Sequence, residues 1–563
     1  MSGNENGNLE FYRQREEAEV ALGVVQTKYG KVSGITYDGR YTGITEYRGI
    51  PYAAPPVGRL RFAPPQEPEE WTGIKDCSSY APAAVQTMLS DRHAREYYFQ
   101  GTPKMSEDCL YVNVCSGAVQ AGEKRPAYMW FHGGGLTNCF SYEIQCNPQE
   151  LARKGVVVVS VGQRLNLFGY LCLPQLTKEQ GKSGNYGFMD QIKALDWVTE
   201  NIEAFGGDPE NITVGGQSGG ALKCCLLAAS PAARGRIKRV INQSGNKWMI
   251  PLKSLEDQEK LGRRYLQYAG IDPDITLEEL RAMDTWELYQ DAPRVVMPGD
   301  VVWDGDLIPC KSVRELFETC LGDVDFMNGA DSGEAEVFGE SASGLNEVPV
   351  RKFISQIRNS RDFYGHFRNL LGLLYEKYDF ESLVKVTDDT AWDTARLLAG
   401  RGLCGSEGMN VSRNLMLNRY FGMYMHKKHP GNSYYSYWWT HLLPCLSSDK
   451  NTSADPERTL AWHSTELWFT FGSLREGIPP HRPWRNIDYE IADAISSYWA
   501  NFIKCGNPNG EGLPVWPKSN DNYGYMELGD DFLGKNGVDE PLEKLILEFI
   551  TREYQLMDGD LYE

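Results

Sequence analysis

Apolar runs in this chain are short: no uninterrupted stretch approaches the roughly 18 residues needed to cross a bilayer as a helix, so no membrane span is expected. Basic residues are outnumbered, 57 Lys and Arg against 76 Asp and Glu. The resulting formal charge of -19 argues against nucleic acid, whose phosphates require a basic surface. That excess acid reads as a solubility device; steering of cationic substrates would need it concentrated at the mouth of a site. The 13 cysteines contain no C-x-x-C pair, and their odd number suits free thiols in a reducing compartment. Nothing calls for a metal or an organic cofactor. The amino terminus, Met1-Ser2-Gly3-Asn4-Glu5-Asn6-Gly7-Asn8, has neither the basic start nor the apolar core of a secretory signal, so a cytoplasmic chain is expected. The Asn211 and Asn410 sequons then read as accidental.

What is present is ample material for a core, 41% hydrophobic and 12% aromatic. After a polar segment over residues 1–22, Gly23–Thr27 and Gly30–Ile35 read as paired strands. Further strands are expected at Tyr111–Val114, Pro126–Phe131, Val156–Val161, Ile212–Val214, Val240–Asn242, Val324–Met327 and Tyr434–Trp439, with helical patterns between several, such as Asp190–Val198. That alternation implies an α/β fold with a large, mostly parallel sheet covered by helices on both faces. Residues 23–560 are expected to form one catalytic domain. The largely helical stretch from about 345 to 430 reads as a cap inserted into it.

Gly216-Gln217-Ser218-Gly219-Gly220 stands between the strand Ile212–Val214 and the helix-forming run Ala221–Leu227, the setting of a nucleophile elbow. Only glycine fits a strand-to-helix turn so tight that neighbouring backbone approaches it. Alone the pattern is weak, expected by chance about 0.3 times in a chain of this composition. Upstream, however, the strand Pro126–Phe131 runs into His132-Gly133-Gly134-Gly135, expected only about 0.01 times. A glycine run after a strand supplies backbone N–H donors for a developing oxyanion, which is what acyl transfer at a serine requires.

A serine needs a histidine to take its proton and a carboxylate to orient that histidine, in the chain order Ser, acid, His. Six of the eight histidines follow Ser218: His366, His426, His429, His441, His463 and His481. His463, in the loop Ala461–Leu467 ahead of an aromatic segment, is the favoured base. For the acid, the strand ending at Gly329 leads to Asp331, Glu334 and Glu336, and spacing does not choose among them.

The chain resembles the type B carboxylesterases of the α/β-hydrolase fold, which include bacterial para-nitrobenzyl esterases, animal carboxylesterases and cholinesterases. The likeness runs from about Val24 to Pro517. It is carried by Tyr47-Arg48-Gly49-Ile50-Pro51-Tyr52-Ala53, Ser106–Val114, the HGGG run, Asn185–Gln191, Phe205–Pro209 with Asn211-Ile212-Thr213, the serine elbow, Asn501-Phe502 and Trp516-Pro517. The resemblance implies Ser218 as nucleophile, Glu334 as acid and His463 as base, with oxyanion donors on Gly134, Gly135 and Gly219. It departs from the family pattern at Gly219, usually Ala, at Ala335, usually Gly, and at Ser464, often Gly. Ser244 matches a family serine near the acid. It further implies a bridge between Cys77 and Cys109, and an Arg48–Glu107 ion pair.

The resemblance therefore implies hydrolysis of small carboxylic esters through an acyl-enzyme. Gln217, where choline-specific relatives carry Glu, counts against acetylcholine. So does the lack of Trp between Cys77 and Cys109, where the aromatics are Tyr80, Tyr97, Tyr98 and Phe99. Leu136, beside the glycines, suits an apolar pocket, and neutral short to medium esters are expected. The rivals are a catalytically silent adhesion homologue, which would be expected to lack a triad residue and to carry a secretion signal, and a thioesterase or amidase using the same residues.

Overall fold

The structure is a computed structural model that describes residues 21–87, 102–246, 248, 251–293, 295–334, 356–404, 414–450, 455–475, 482–520, 522–554 and 556. Its frame is a sheet that, among the described residues, has eleven strands. In spatial order they are β14 (Phe532–Lys535), β13 (Tyr525–Leu528), β12 (Tyr434–Trp439), β11 (Asp325–Asp331), β10 (Ile237–Gln243), β9 (Gly207–Gln217), β7 (Arg125–Phe131), β8 (Val157–Val161), β6 (Tyr111–Ser116), β4 (Thr45–Pro51) and β3 (Ile35–Thr36). Strands from β13 through β8 run parallel, and antiparallel pairs close both edges. β1 (Val24–Gln26), β2 (Lys31–Ser33) and β5 (Ile74–Asp76) form a separate small sheet.

The central strands are nearly continuous apolar runs because both of their faces are covered. From Pro126 to Phe131 every residue of β7 is buried, and Val157, Val158, Val159 and Val161 of β8 are buried too. On one face α1 (Tyr186–Asn201) and α2 (Gly219–Ala229) close over Met129, Val159 and Val214, and α5 (Leu415–Lys428) over Phe326 and Tyr434. On the other, α6 (Asn486–Cys505) brings Trp499 and Phe502 against Trp130, Ile241 and Tyr437.

Within the stretch read as a cap lie α3 (Ser360–Leu371), α4 (Ala391–Arg401) and α5. α5 packs directly on β11 and β12, so it belongs to a layer covering the sheet. The chain closes with α7 (Pro541–Glu553), which packs against α5.

Two expectations need correction. Arg48 does not pair with Glu107. Its Nη2 meets Glu46 Oε2 at 3.0 Å and its guanidinium covers the Tyr80 ring. Arg61 instead occupies both Glu107 oxygens, at 2.7 and 2.5 Å, and its fork geometry fills the site. Cys77 and Cys109 are free thiols, not a bridge. Burial pushes Cys77 up to about 12 and Cys109 well above its ordinary value, which disfavours the thiolate that disulfide exchange requires.

Candidate active site

Ser218 sits between the end of β9 and the start of α2 with φ 58° and ψ -117°, a conformation uncommon for a residue with a Cβ. Its N–H donates to the Gln243 carbonyl of the neighbouring strand at 2.8 Å. The flanking glycines are sterically required. A Cβ at Gly216 would lie 2.4 Å from the Gly220 carbonyl carbon, and one at Gly220 would lie 1.9 Å from the Phe131 oxygen. The serine is thereby fixed at the carboxyl end of a parallel strand, beside the end of β7.

Beyond β7, the glycine loop folds back on itself. Thr137 and Asn138 donate their N–H groups to the Gly134 carbonyl, each at 3.2 Å, and Gly134 and Gly135 have φ of 77° and 65°. Leu136 is buried next to them. A Cβ at Gly219 would lie 1.9 Å from the Gly135 oxygen, so Gly replaces the family's usual Ala where two backbones touch.

The acid and the histidine come from loops distant in sequence that pair through backbone. Gly333 donates its N–H to the Ala461 carbonyl at 2.7 Å, and Gly333 bridges to Trp462. That contact brings Glu334 Oε2 to 2.9 Å from His463 Nδ1, with both side chains almost wholly buried. Gln217 Nε2 lies 3.1 Å from His463 Nε2 and 3.3 Å from Nδ1, so the residue before the serine touches the same ring.

Of the three carboxylates left open by spacing, Glu334 is, among the described residues, the one that meets the imidazole. Asp331 instead accepts the Ser464 N–H at 2.9 Å. Glu336 lies outside the described residues, as do His481, Tyr97, Tyr98 and Phe99. Ser244 is fully buried at the end of β10, where its N–H donates to the Gly329 carbonyl.

Sequence reasoning missed Glu466. It is completely buried and accepts from Gln243 Nε2 at 3.1 Å, while Trp499 Nε1 donates to the other end of that amide at 3.2 Å. Asp331, Glu334 and Glu466 thus crowd three carboxylates into one apolar volume. Burial, then the charges of Glu466 and Glu334, push Asp331 well above the carboxylate range, and burial likewise pushes Glu466 up. The signal lay in spacing: Glu466 follows His463 by three residues and so falls on the same turn.

The other described histidines that follow Ser218 lie elsewhere. His441 lies between Asp488 Oδ1, 2.8 Å from its Nε2, and Asp530 Oδ1, 2.6 Å from its Nδ1. His366 is on α3, and His426 and His429 lie at the end of α5. Among the described residues no group of three or more His, Cys, Asp or Glu side chains could hold a metal ion, and no helix is long and apolar enough to cross a membrane.

A model of the carboxylesterase family matches residues 21–543. The medium-chain fatty acyl-CoA hydrolase precursor of Anas platyrhynchos is 29% identical over 529 residues, covering 90% of this chain and 88% of that one. Mouse carboxylesterase 1F is 28% identical over 544 residues, covering 90% of each chain. Among solved structures, a PNB esterase aligns with a TM-score of 0.69 at 26% identity, over 94% of this chain and 99% of the other.

Proposed function

The chain belongs to the carboxylesterase family and is a carboxylic ester hydrolase, and from that premise we propose that Ser218, Glu334 and His463 carry the reaction. The observation that carries this reading is the 2.9 Å approach of Glu334 to His463 Nδ1, on a ring that the residue adjoining Ser218 also touches.

His463 takes the Ser218 proton as the hydroxyl oxygen attacks the ester carbonyl. Glu334 holds the Nδ1–H tautomer and stabilises the imidazolium that forms. The N–H groups of Gly134, Gly135 and Gly219 receive the oxyanion, beside buried side chains whose low dielectric strengthens such donors. The imidazolium returns its proton to the departing alcohol. Water then enters, gives its proton to His463 and attacks the acyl carbon; as the acyl–oxygen bond breaks, the imidazolium returns that proton to Ser218 Oγ and the acid leaves. Gln217 supports the ring, and Ser244, held to Gly329 at the end of β10, stands outside the reacting groups.

The substrates in this reading are neutral esters with short to medium acyl chains, received beside Leu136. A thioester reading is kept because one relative is named a fatty acyl-CoA hydrolase. Free, mostly buried cysteines support placement in a reducing, cytoplasmic compartment. A panel of p-nitrophenyl esters of graded chain length, run beside acyl-CoA thioesters of matching length, tests the reading. Ester turnover peaking at short to medium chains and exceeding thioester turnover is expected. Faster thioester cleavage would replace it with the second reading.

A further inference from the structure

α2 carries, one turn past Gly219, a lysine in an otherwise apolar run. Lys223 is 1% exposed, and its Nζ donates to the His132 carbonyl at 3.1 Å. The groups facing it are the Glu143 carboxyl, the Cys139 and Cys224 thiols and the His132 imidazole, all buried. A primary amine is costly to bury, and burial pushes this one down to about 7.

From this geometry we infer that Lys223 is a positioning residue for the oxyanion loop. The inference rests on the assignment of Gly134 and Gly135 as donors. In a planar trans peptide the carbonyl and the following N–H point in opposite directions, so fixing one aims the other. The Gly133 carbonyl, which aims the Gly134 N–H, faces His132 Nδ1 at 3.1 Å. The Gly134 carbonyl, which aims the Gly135 N–H, is held by Thr137 and Asn138. Lys223 anchors the carbonyl one step earlier, that of His132 itself, and so holds the residue whose ring secures the next peptide. Burial, then the neighbouring lysine, push the His132 imidazole well below its ordinary range. A neutral ring facing a carbonyl through Nδ1 carries its proton there and donates. Because Lys223 and Gly219 share α2, the same link ties the third donor to the first two.

The test is Lys223→Met, which keeps the length and apolar stem and removes the donor. It is measured as kcat per site titrated with a serine-directed phosphonate, so that unfolded protein does not count. The expected result is a fall in kcat of about tenfold or more, since a small misplacement of reacting groups costs that much, with KM changed less than threefold. Glu143→Gln, which spares the amine–carbonyl bond, keeps kcat within about twofold of the parent. Should Lys223→Met fail to fold, Lys223→Gln, a shorter donor, is measured in its place and must also lose kcat per site. Parental kcat in the lysine variants, or an equal loss in Glu143→Gln, overturns the inference. Failure of the phosphonate to label Ser218 in the parent would instead overturn the nucleophile assignment.

Discussion

A Cβ on Gly219 would lie 1.9 Å from the carbonyl oxygen of Gly135, so the first residue of the nucleophile helix and the last glycine of the HGGG run pack backbone against backbone. The steric fit and the proposed chemistry coincide at this contact, since both residues are assigned N–H donors. Gly219→Ala should therefore push the loop away and lower kcat by about a hundredfold, the scale of losing one oxyanion donor, with little change in KM. Steady-state kinetics beside thermal unfolding checks this; parental kcat in a folded variant would show that the contact is dispensable.

Exchanging carboxylates separates the acid from its neighbours. Glu334→Gln should lower kcat by about 10³ to 10⁴, as loss of the orienting carboxylate does in other serine triads. Asp331 accepts the Ser464 N–H, and burial favours its neutral form, so Asp331→Asn, which keeps an acceptor oxygen and carries no charge, should stay within about tenfold of the parent. The opposite order would move the acid to Asp331.

Much of this arrangement could be read in advance where local sterics write the sequence. Gly216, Gly219 and Gly220 mark the elbow because backbone of β7 and of the glycine loop leaves no room for side chains there. The apolar runs of β7 and β8 betray a sheet covered on both faces. The acid was legible only through family resemblance. Glu334 and His463 meet because Gly333 and Ala461 pair across 128 residues of sequence, and no spacing rule encodes a contact between loops. Arg48 and Glu107 failed for the same reason: each found a different partner, Glu46 two residues away and Arg61 in another loop. Lys223 was visible as a lone charge in an apolar helix, but its meaning depends on which carbonyl faces it.

Gln217 lies against both nitrogens of His463, so a charge introduced at position 217 should tune the base. Gln217→Glu would place a carboxylate beside the ring and favour the imidazolium. The acid limb of the kcat/KM profile should move to higher pH by about one unit. A pH–rate profile checks this, and an unshifted limb would show that residue 217 and the base are not coupled.

Away from the site, Asp488 caps α6 beneath His441. Burial alone would raise its carboxyl, but hydrogen bonds from His441 and Arg485 hold it down at about 2, from an ordinary 3.8. Because the folded-state value is the lower one, the stabilisation is complete above the unfolded value and disappears as pH falls through about 2. Asp488→Asn should cost about 2 kcal/mol at pH 7, and the gap should close in acid. Denaturant unfolding across pH checks this, and a gap independent of pH would contradict it.

The central claim is that one buried serine carries the acyl group. Incubation with a fluorophosphonate, followed by intact-mass and peptide mass spectrometry, tests it most directly. The account predicts one adduct per chain, on the peptide containing Ser218, with activity lost in step and no adduct in Ser218→Ala. Labelling at another residue, or turnover that persists once Ser218 is fully modified, would contradict it.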